Sequence, residues 1–266
     1  MTRLLHLSDL HFGRARADLL EPLVDAVNRL APDLVAISGD FTQRARRAQF
    51  RMARAFIDRL EPPVLCVPGN HDVPLENLPR RLVAPFLGYR RWISHTLEPV
   101  FTRDGTTVVG LNTVNPYVWQ SGKVGRRAVE RACAAFAGRE DTVCVIVAHH
   151  PFEHGPDVDK KPMRGAAEAI DELARCGADI VLSGHLHTWR AEPFAERSGR
   201  RGAVQVHAGT GLSTRVRGEE NDFNLLTVEG RRLLVERYAA GAGVAEFAKV
   251  GEARFDLHVD HAGAPA

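Results

Sequence analysis

The chain has 266 residues, 44% hydrophobic and 26% charged, with 35 Lys and Arg against 33 Asp and Glu. This is the composition of a soluble globular protein, long enough to bury a sizeable core without covalent staples. The near-neutral balance gives no case for a stable nucleic-acid partner or an acidic membrane surface.

Four cysteines, Cys66, Cys133, Cys144 and Cys176, form no C-x-x-C pair, and each sits in an apolar stretch. They read as buried, reduced thiols. The N-terminal stretch MTRLLHLSDLHFG lacks the charge and apolar length of a secretory leader, and no apolar run approaches the length of a membrane span. The expected location is the cytoplasm.

In chain order, Leu4–Leu7 reads as a strand. Asp18 and Glu21 have capping-box spacing before a helical stripe of Leu20, Val24, Val27 and Leu30. A strand over Leu34–Ser38 follows. A helix then carries Phe50, Ala53, Ile57 and Leu60 on one side and Arg47, Arg51 and Arg54 on the other. Val64–Val67 is a third strand. Residues 74–99, rich in proline and arginine with Tyr89 and Trp92, read as a local, partly helical insertion or cap. Val100–Thr102 and Thr107–Leu111 form a strand pair across Asp104-Gly105. Val129, Cys133 and Phe136 mark a helix that stops at Gly138. A strand over Val143–Ala148 comes next, then a helix with Ile170 and Leu173 that ends at Gly177. After the strand Ile180–Ser183 the pattern turns β-rich, with Val204–His207, Phe223–Val228 and Leu233–Tyr238. Alternating strands and helices followed by a β-rich half predict an α/β domain over residues 1–240 with two packed sheets. Residues 241–266 form a C-terminal extension, packed on the domain with a frayed end.

Five apolar runs end in polar clusters: Ser8-Asp9-Leu10-His11, Ser38-Gly39-Asp40, Pro68-Gly69-Asn70-His71-Asp72, His149-His150-Pro151 and Ser183-Gly184-His185-Leu186-His187. A lone Asp or His after a strand is ordinary turn or core chemistry. Five strand ends with such clusters go beyond what turns require, and open α/β sheets bind ligands at those ends. Mixed carboxylate, amide and imidazole donors suit manganese, iron or zinc rather than calcium or magnesium alone. No cysteine is placed to contribute. Seven candidate ligands are too many for one tetrahedral ion and fit two ions that share a carboxylate.

The blocks Asp9-x-His11, Gly39-Asp40, Gly69-Asn70-His71-Asp72, His149 and Gly184-His185-x-His187 resemble, in order, the motifs of the calcineurin-like metallophosphoesterase superfamily. The resemblance covers residues 9–187 and implies a four-layer αββα sandwich of two packed mixed sheets. It implies two divalent ions, one held by Asp9, His11 and His187, the other by Asn70, His149 and His185, with Asp40 bridging. His71 would face the scissile phosphate without binding metal. The implied reaction is phosphodiester hydrolysis by in-line attack of a hydroxide that bridges the two ions, which lower its pKa. Asn70 would help neutralise the oxygens, and His71 would donate a proton to the leaving alkoxide or hydrogen-bond a phosphate oxygen.

The HHP and SGHLH blocks and the later GTGLSTRVRGEENDFNLL are similar to compact bacterial phosphodiesterases of cyclic nucleotides and glycerophosphodiesters. The expected partner is a small phosphodiester; the oligomeric state stays open. A phosphomonoesterase or a nucleotide–lipid pyrophosphatase is the alternative, with a DNA nuclease further off. Arg44, Tyr117 and Trp119 are candidates to line a substrate pocket. His207 reads as a buried histidine or a support behind the site, and Asn224 has no assignable role. Successive strand residues face opposite ways. The resemblance selects His149 as ligand, so alternation leaves His150 to packing or support.

Overall fold

The computed structural model describes residues 1–139, 142–154, 158, 162–194, 203–216, 218–241, 243 and 245–257. Its elements run β1 (Thr2–Leu7), α1 (Leu20–Leu30), β2 (Leu34–Ile37), α2 (Arg47–Ile57), β3 (Val64–Cys66), α3 (Leu78–Val83) and α4 (Leu87–Trp92). They continue with β4 (Val100–Arg103), β5 (Thr106–Leu111), α5 (Arg126–Phe136), β6 (Val143–Ala148), α6 (Ala166–Arg175) and β7 (Ala178–Ser183). The last five are β8 (Arg190–Pro193), β9 (Val204–His207), β10 (Asn221–Glu229), β11 (Arg232–Ala240) and β12 (Phe247–Asp256).

The strands form two six-stranded mixed sheets, ordered β12-β11-β10-β1-β2-β3 and β4-β5-β6-β7-β9-β8. The alternation of β1 and β6 assigns each side chain to a layer. Leu4, Leu34, Ala36, Leu65 and Val67 of the first sheet meet Val108, Val145, Val147, Ile180 and Leu182 of the second in one inter-sheet core. Leu5, Leu7, Val35 and Ile37 face the other way, onto Leu23, Val24 and Val27 of α1 and Phe50, Ala53 and Phe56 of α2. In the second sheet, Cys144, Ile146 and Ala148 face Val129, Ala132 and Phe136 of α5 and Ile170 and Leu173 of α6. The result is the αββα sandwich. Each fully buried aliphatic side chain contributes about 1.5–3 kcal/mol, so both faces of the central strands are held. The strands are accordingly continuous apolar runs.

Parallel pairing of β1, β2 and β3, and of β5, β6, β7 and β9, brings their carboxyl ends to one edge of the sandwich. That edge is where the polar clusters lie.

Several local expectations are corrected. Asp18 and Glu21 form no capping box. A 3-10 turn, Ala17–Leu19, precedes α1, so Asp18 is not at the cap and Arg16 takes its carboxylate at 2.5 Å. Cys133 and Cys176 are not free thiols. Packing of α5 beside α6 brings their Cα atoms to 5.3 Å and the pair is disulfide-bonded, a separation ordinary for a bridge. Cysteine usage therefore no longer speaks for a reducing compartment. Cys66 and Cys144 are buried and free. Two short-range readings had no strand at β8 or β12. β8 pairs antiparallel with β9, and β12 is the edge strand beside β11. Residues 258–266, with the expected frayed end, lie outside the described residues. No helix among the described residues is long and apolar enough to cross a membrane.

Candidate metal centre

The site is assembled from both sheets. Asp9 and His11 follow β1, Asp40 follows β2, and Asn70 and His71 follow β3 in a 3-10 turn, Asn70–Asp72. His149 follows β6, and His185 and His187 follow β7. Asp9, His11, Asp40, His185 and His187 all have positive φ, from 47° to 69°. Left-handed backbone is uncommon for residues other than glycine and, where the surroundings enforce it, collects at functional sites. Here it turns each side chain back toward the sandwich edge just past its strand. The neighbouring glycines admit the close approach this requires. A Cβ on Gly184 would overlap Ser8 Oγ and Asp9 Oδ2, and one on Gly69 would overlap Asp40 Oδ1.

Asp9 Oδ2 accepts hydrogen bonds from Ser8 Oγ at 2.6 Å and from the His185 backbone N–H at 2.9 Å. Its Oδ1 is buried with no hydrogen-bond donor, and it lies 3.4 Å from His11 Nε2 and 3.1 Å from His187 Nε2. Those two ring nitrogens are 3.3 Å apart. His187 donates from Nδ1 to the Arg215 carbonyl at 2.9 Å, which leaves its Nε2 lone pair facing the cluster.

Asp40 joins two groups. Its Oδ1 accepts from the His71 N–H at 2.8 Å. Its Oδ2 lies 3.6 Å from His11 Nε2 on one side and 3.4 Å from His149 Nε2 on the other. His149 donates from Nδ1 to the Ser38 carbonyl at 2.8 Å, and its Nε2 is 3.0 Å from Asn70 Oδ1. His185 Nδ1 is 3.1 Å from that same amide oxygen.

Burial opposes charge on these carboxylates. Even so, His187 and His11 hold Asp9 well below the usual range, and His149, His71 and His11 do the same for Asp40. Burial pulls His149 down, but Asp40 and Asp9 overcome it and hold the imidazole up at about 9. Burial lowers His185, and the neighbouring His150 and His149 lower it further. Two buried carboxylates, one with an oxygen lacking any donor, surrounded by converging imidazole nitrogens, suit a cation. The seven residues expected to bind metal are thus brought together. Asp9, His11 and His187 form one group and Asn70, His149 and His185 another, with Asp40 between.

His150 is buried beside them and its ring centroid lies 4.7 Å from that of His185. Distance alone would admit it as a third ligand with His149 and His185. Its nitrogens are already used: Nε2 donates to the Gln120 carbonyl at 3.1 Å and Nδ1 pairs with Thr113 Oγ1 at 2.9 Å. It supports the two rings and braces the loop after β5. His71 stands edge-on to His11, at 4.9 Å between centroids, and donates from Nδ1 to the Gln43 carbonyl at 2.8 Å. Asp72 does not orient that ring. Its carboxylate accepts from the Gly69, Phe41 and Thr42 backbone N–H groups and ties the turns after β2 and β3 together.

The substrate candidates are scattered. Arg44 lies before α2 with Nη1 on the Gln43 carbonyl at 3.1 Å and its guanidinium facing Glu76. Tyr117 and Trp119 are exposed on a loop pinned by His150 and by Arg81, which donates to the Pro116 and Val118 carbonyls at 2.5 and 2.6 Å. His207 is buried on Gln205 Oε1 at 3.1 Å. Asn224 acquires a role: it accepts from Trp189 Nε1 at 2.7 Å and donates to the His207 carbonyl at 3.3 Å. Sequence reasoning missed Gln43, whose carbonyl orients His71, and Arg215. Arg215 lies inside GTGLSTRVRGEENDFNLL, where no local spacing sets it apart from the block's other charged residues.

The sequence profile of the calcineurin-like phosphoesterases matches residues 2–189. The chain is 25% identical over 162 residues to a probable cyclic nucleotide phosphodiesterase of Synechococcus sp., covering 59% of this chain and 58% of that protein. It is 34% identical over 80 residues to a glycerophosphodiester phosphodiesterase of Enterobacter lignolyticus, covering 26% and 29%. The chain thus matches less than two thirds of the length of either relative. Its fold resembles that of a purple acid phosphatase from yellow lupin (Lupinus luteus), with TM-score 0.69 at 14% identity over 96% of this chain and 53% of that one.

Proposed function

The chain belongs to the calcineurin-like phosphoesterase family, and from that premise we propose that it is a metal-dependent phosphodiesterase for small phosphodiesters of the cyclic-nucleotide or glycerophosphodiester kind. The observation that carries this reading is Asp40 Oδ2, set between His11 Nε2 and His149 Nε2 beside the donorless Asp9 Oδ1. Asp9, His11, His187 and Asp40 would hold one divalent ion, and Asp40, Asn70, His149 and His185 a second. The donor types favour manganese, iron or zinc. When bound, such a pair supplies Lewis-acid charge to phosphoryl oxygens and makes water nucleophilic near neutral pH.

The chain's own residues do the rest. The Arg215 and Ser38 carbonyls take the Nδ1–H of His187 and His149, so Nε2 is the nitrogen each ring would offer a cation in place of its second proton. The Asn70 side chain sits among the second group and helps neutralise phosphoryl charge. His71 Nε2 is assigned to the ester oxygen that departs, held there by the Gln43 carbonyl on the opposite nitrogen. Tyr117 and Trp119, exposed on a pinned loop, are assigned to the organic part of the substrate. The names of the partly aligned relatives support a diester.

A second reading, a nucleotide–lipid pyrophosphatase, draws on Leu78, Leu82, Val83 and Leu87 of α3 and α4, all exposed. A substrate panel separates the two. Manganese-loaded protein is assayed on bis-p-nitrophenyl phosphate, p-nitrophenyl phosphate, 2′,3′- and 3′,5′-cyclic AMP, glycerophosphocholine and a nucleotide–lipid pyrophosphate. Diesters are expected to turn over faster than the monoester. Diester turnover no better than monoester turnover sinks the proposal.

A further inference from the structure

The loop between β9 and β10 is fastened along its length before it reaches Arg215. Gly209 N–H donates to Asp222 Oδ1 at 2.7 Å, and Gly211 N–H to the Ser8 carbonyl at 2.9 Å. Buried Asn221 donates from Nδ2 to the Thr210 and Ser213 carbonyls. Thr214 N–H donates to the Arg14 carbonyl at 2.8 Å, and Arg215 N–H to Ser213 Oγ at 3.0 Å. Such a backbone delivers its last side chain to a fixed place.

That place is the metal centre. The Arg215 carbonyl orients His187, and Arg215 Nη1 lies 3.3 Å from His71 Nε2. Because His71 Nδ1 donates to Gln43, Nε2 offers a lone pair and the guanidinium donates to it. No described carboxylate pairs with Arg215. Glu219 and Asp222, beside this loop, hold Arg237. A planar fork of five donors therefore stands half-exposed beside the site, with one donor used and its charge uncompensated.

We propose that Arg215 is a substrate-binding residue that takes an anionic, non-bridging oxygen of the phosphoryl group. In the free protein it rests on His71 Nε2. Arrival of the anion draws the guanidinium onto the phosphoryl oxygens, where charge-assisted hydrogen bonds are stronger than one to a neutral ring nitrogen. Nε2 is then released from the guanidinium. Arg215 thereby couples recognition of the anion to release of His71. The identity of the anion rests on the phosphoesterase reading; the choice of an anion rests on the unpaired guanidinium.

The test compares wild type with Arg215→Gln and Arg215→Lys, all manganese-loaded, by calorimetric titration with inorganic phosphate. Arg215→Gln is expected to weaken phosphate binding about 10- to 100-fold, and Arg215→Lys to recover part of it. Metal content is expected to stay at the wild-type value, because the backbone carbonyl and not the side chain holds His187. In metal-free protein, the ¹⁵N resonance of His71 Nε2 is expected to shift on Arg215→Gln while Nδ1 stays. Unchanged phosphate affinity, an unmoved Nε2 resonance, or affinity lost only together with metal would overturn the assignment. The outcomes stay separable from the activity reading. Phosphate bound through Arg215 by a protein that cleaves no diester sinks the phosphodiesterase and leaves this site standing.

Discussion

His6 and His207 belong to strands, His207 as the last residue of β9, whereas His149 and His187 lie past strand ends, and all four are buried. Inside the strands the partners are neutral: Ser38 Oγ at 2.9 Å for His6 and Gln205 Oε1 for His207. Burial, with nearby positive charge, pushes both imidazoles down to about 3. At His149 and His187 burial acts in the same direction and loses. Asp40 and Asp9 hold His149 at about 9, and Asp9 raises His187. One residue type at similar burial thus has opposite electrostatics, and the difference is a carboxylate turned inward by left-handed backbone. Strand bodies hold neutral rings. Where Asp9 and Asp40 face a ring, the strand ends gather negative charge that calls for a proton or a cation; at His185 and His150, also past strand ends, burial still wins.

The largest expected break in this contrast comes from removing the shared carboxylate. Asp40→Ala should lose both metal equivalents by elemental analysis, with diesterase turnover falling about 10³-fold or more. Retention of both ions would end the bridging assignment.

A smaller effect separates neighbours. His149→Ala should lose one metal equivalent, while His150→Ala, whose nitrogens serve Gln120 and Thr113, should keep both. Equal metal loss in the two variants would make His150 a ligand.

The smallest effect concerns the strand interior. The folded pKa of His207 is depressed, so the unfolded chain binds more protons between pH 6.5 and 3. Its contribution is fully present above the unfolded value near 6.5 and is lost as pH falls toward 3. At pH 5 the loss is about 2 kcal/mol in metal-free protein. Urea unfolding at pH 7.5 and 5 should show a smaller drop for His207→Gln than for wild type. Equal drops would mean that His207 does not titrate on unfolding.

Much of the site was legible because a parallel sheet makes its ends equivalent. Once Leu4–Leu7, Leu34–Ile37, Val64–Val67, Val143–Ala148 and Ile180–Ser183 read as strands, the Asp, Asn and His residues after them fall at the carboxyl ends of two parallel sets, which the stacking of the two sheets brings to one edge. The opposed faces of His149 and His150 followed from strand alternation, with Val145 and Val147 toward the inter-sheet core and Ile146 and Ala148 toward the helices. Short or exposed elements gave no such signal. β8 has four residues, and β12 has an exposed outer face without the run of apolar residues that marked the buried strands. The Asp18–Glu21 spacing misled because a preceding 3-10 turn moved Asp18 off the cap.

Sequence alone determined the layers and which donor-type residues stand at the strand ends, since both depend on local periodicity and residue type. Tertiary structure alone decided which distant groups meet. Cys133 reaches Cys176 across 43 residues, Asp40 Oδ2 falls between His11 and His149, and Arg215 comes to rest on His71, 144 positions away. Helix packing, sheet stacking and the fastening of one loop set those encounters, and no short-range pattern encodes a distance between residues that far apart in the chain.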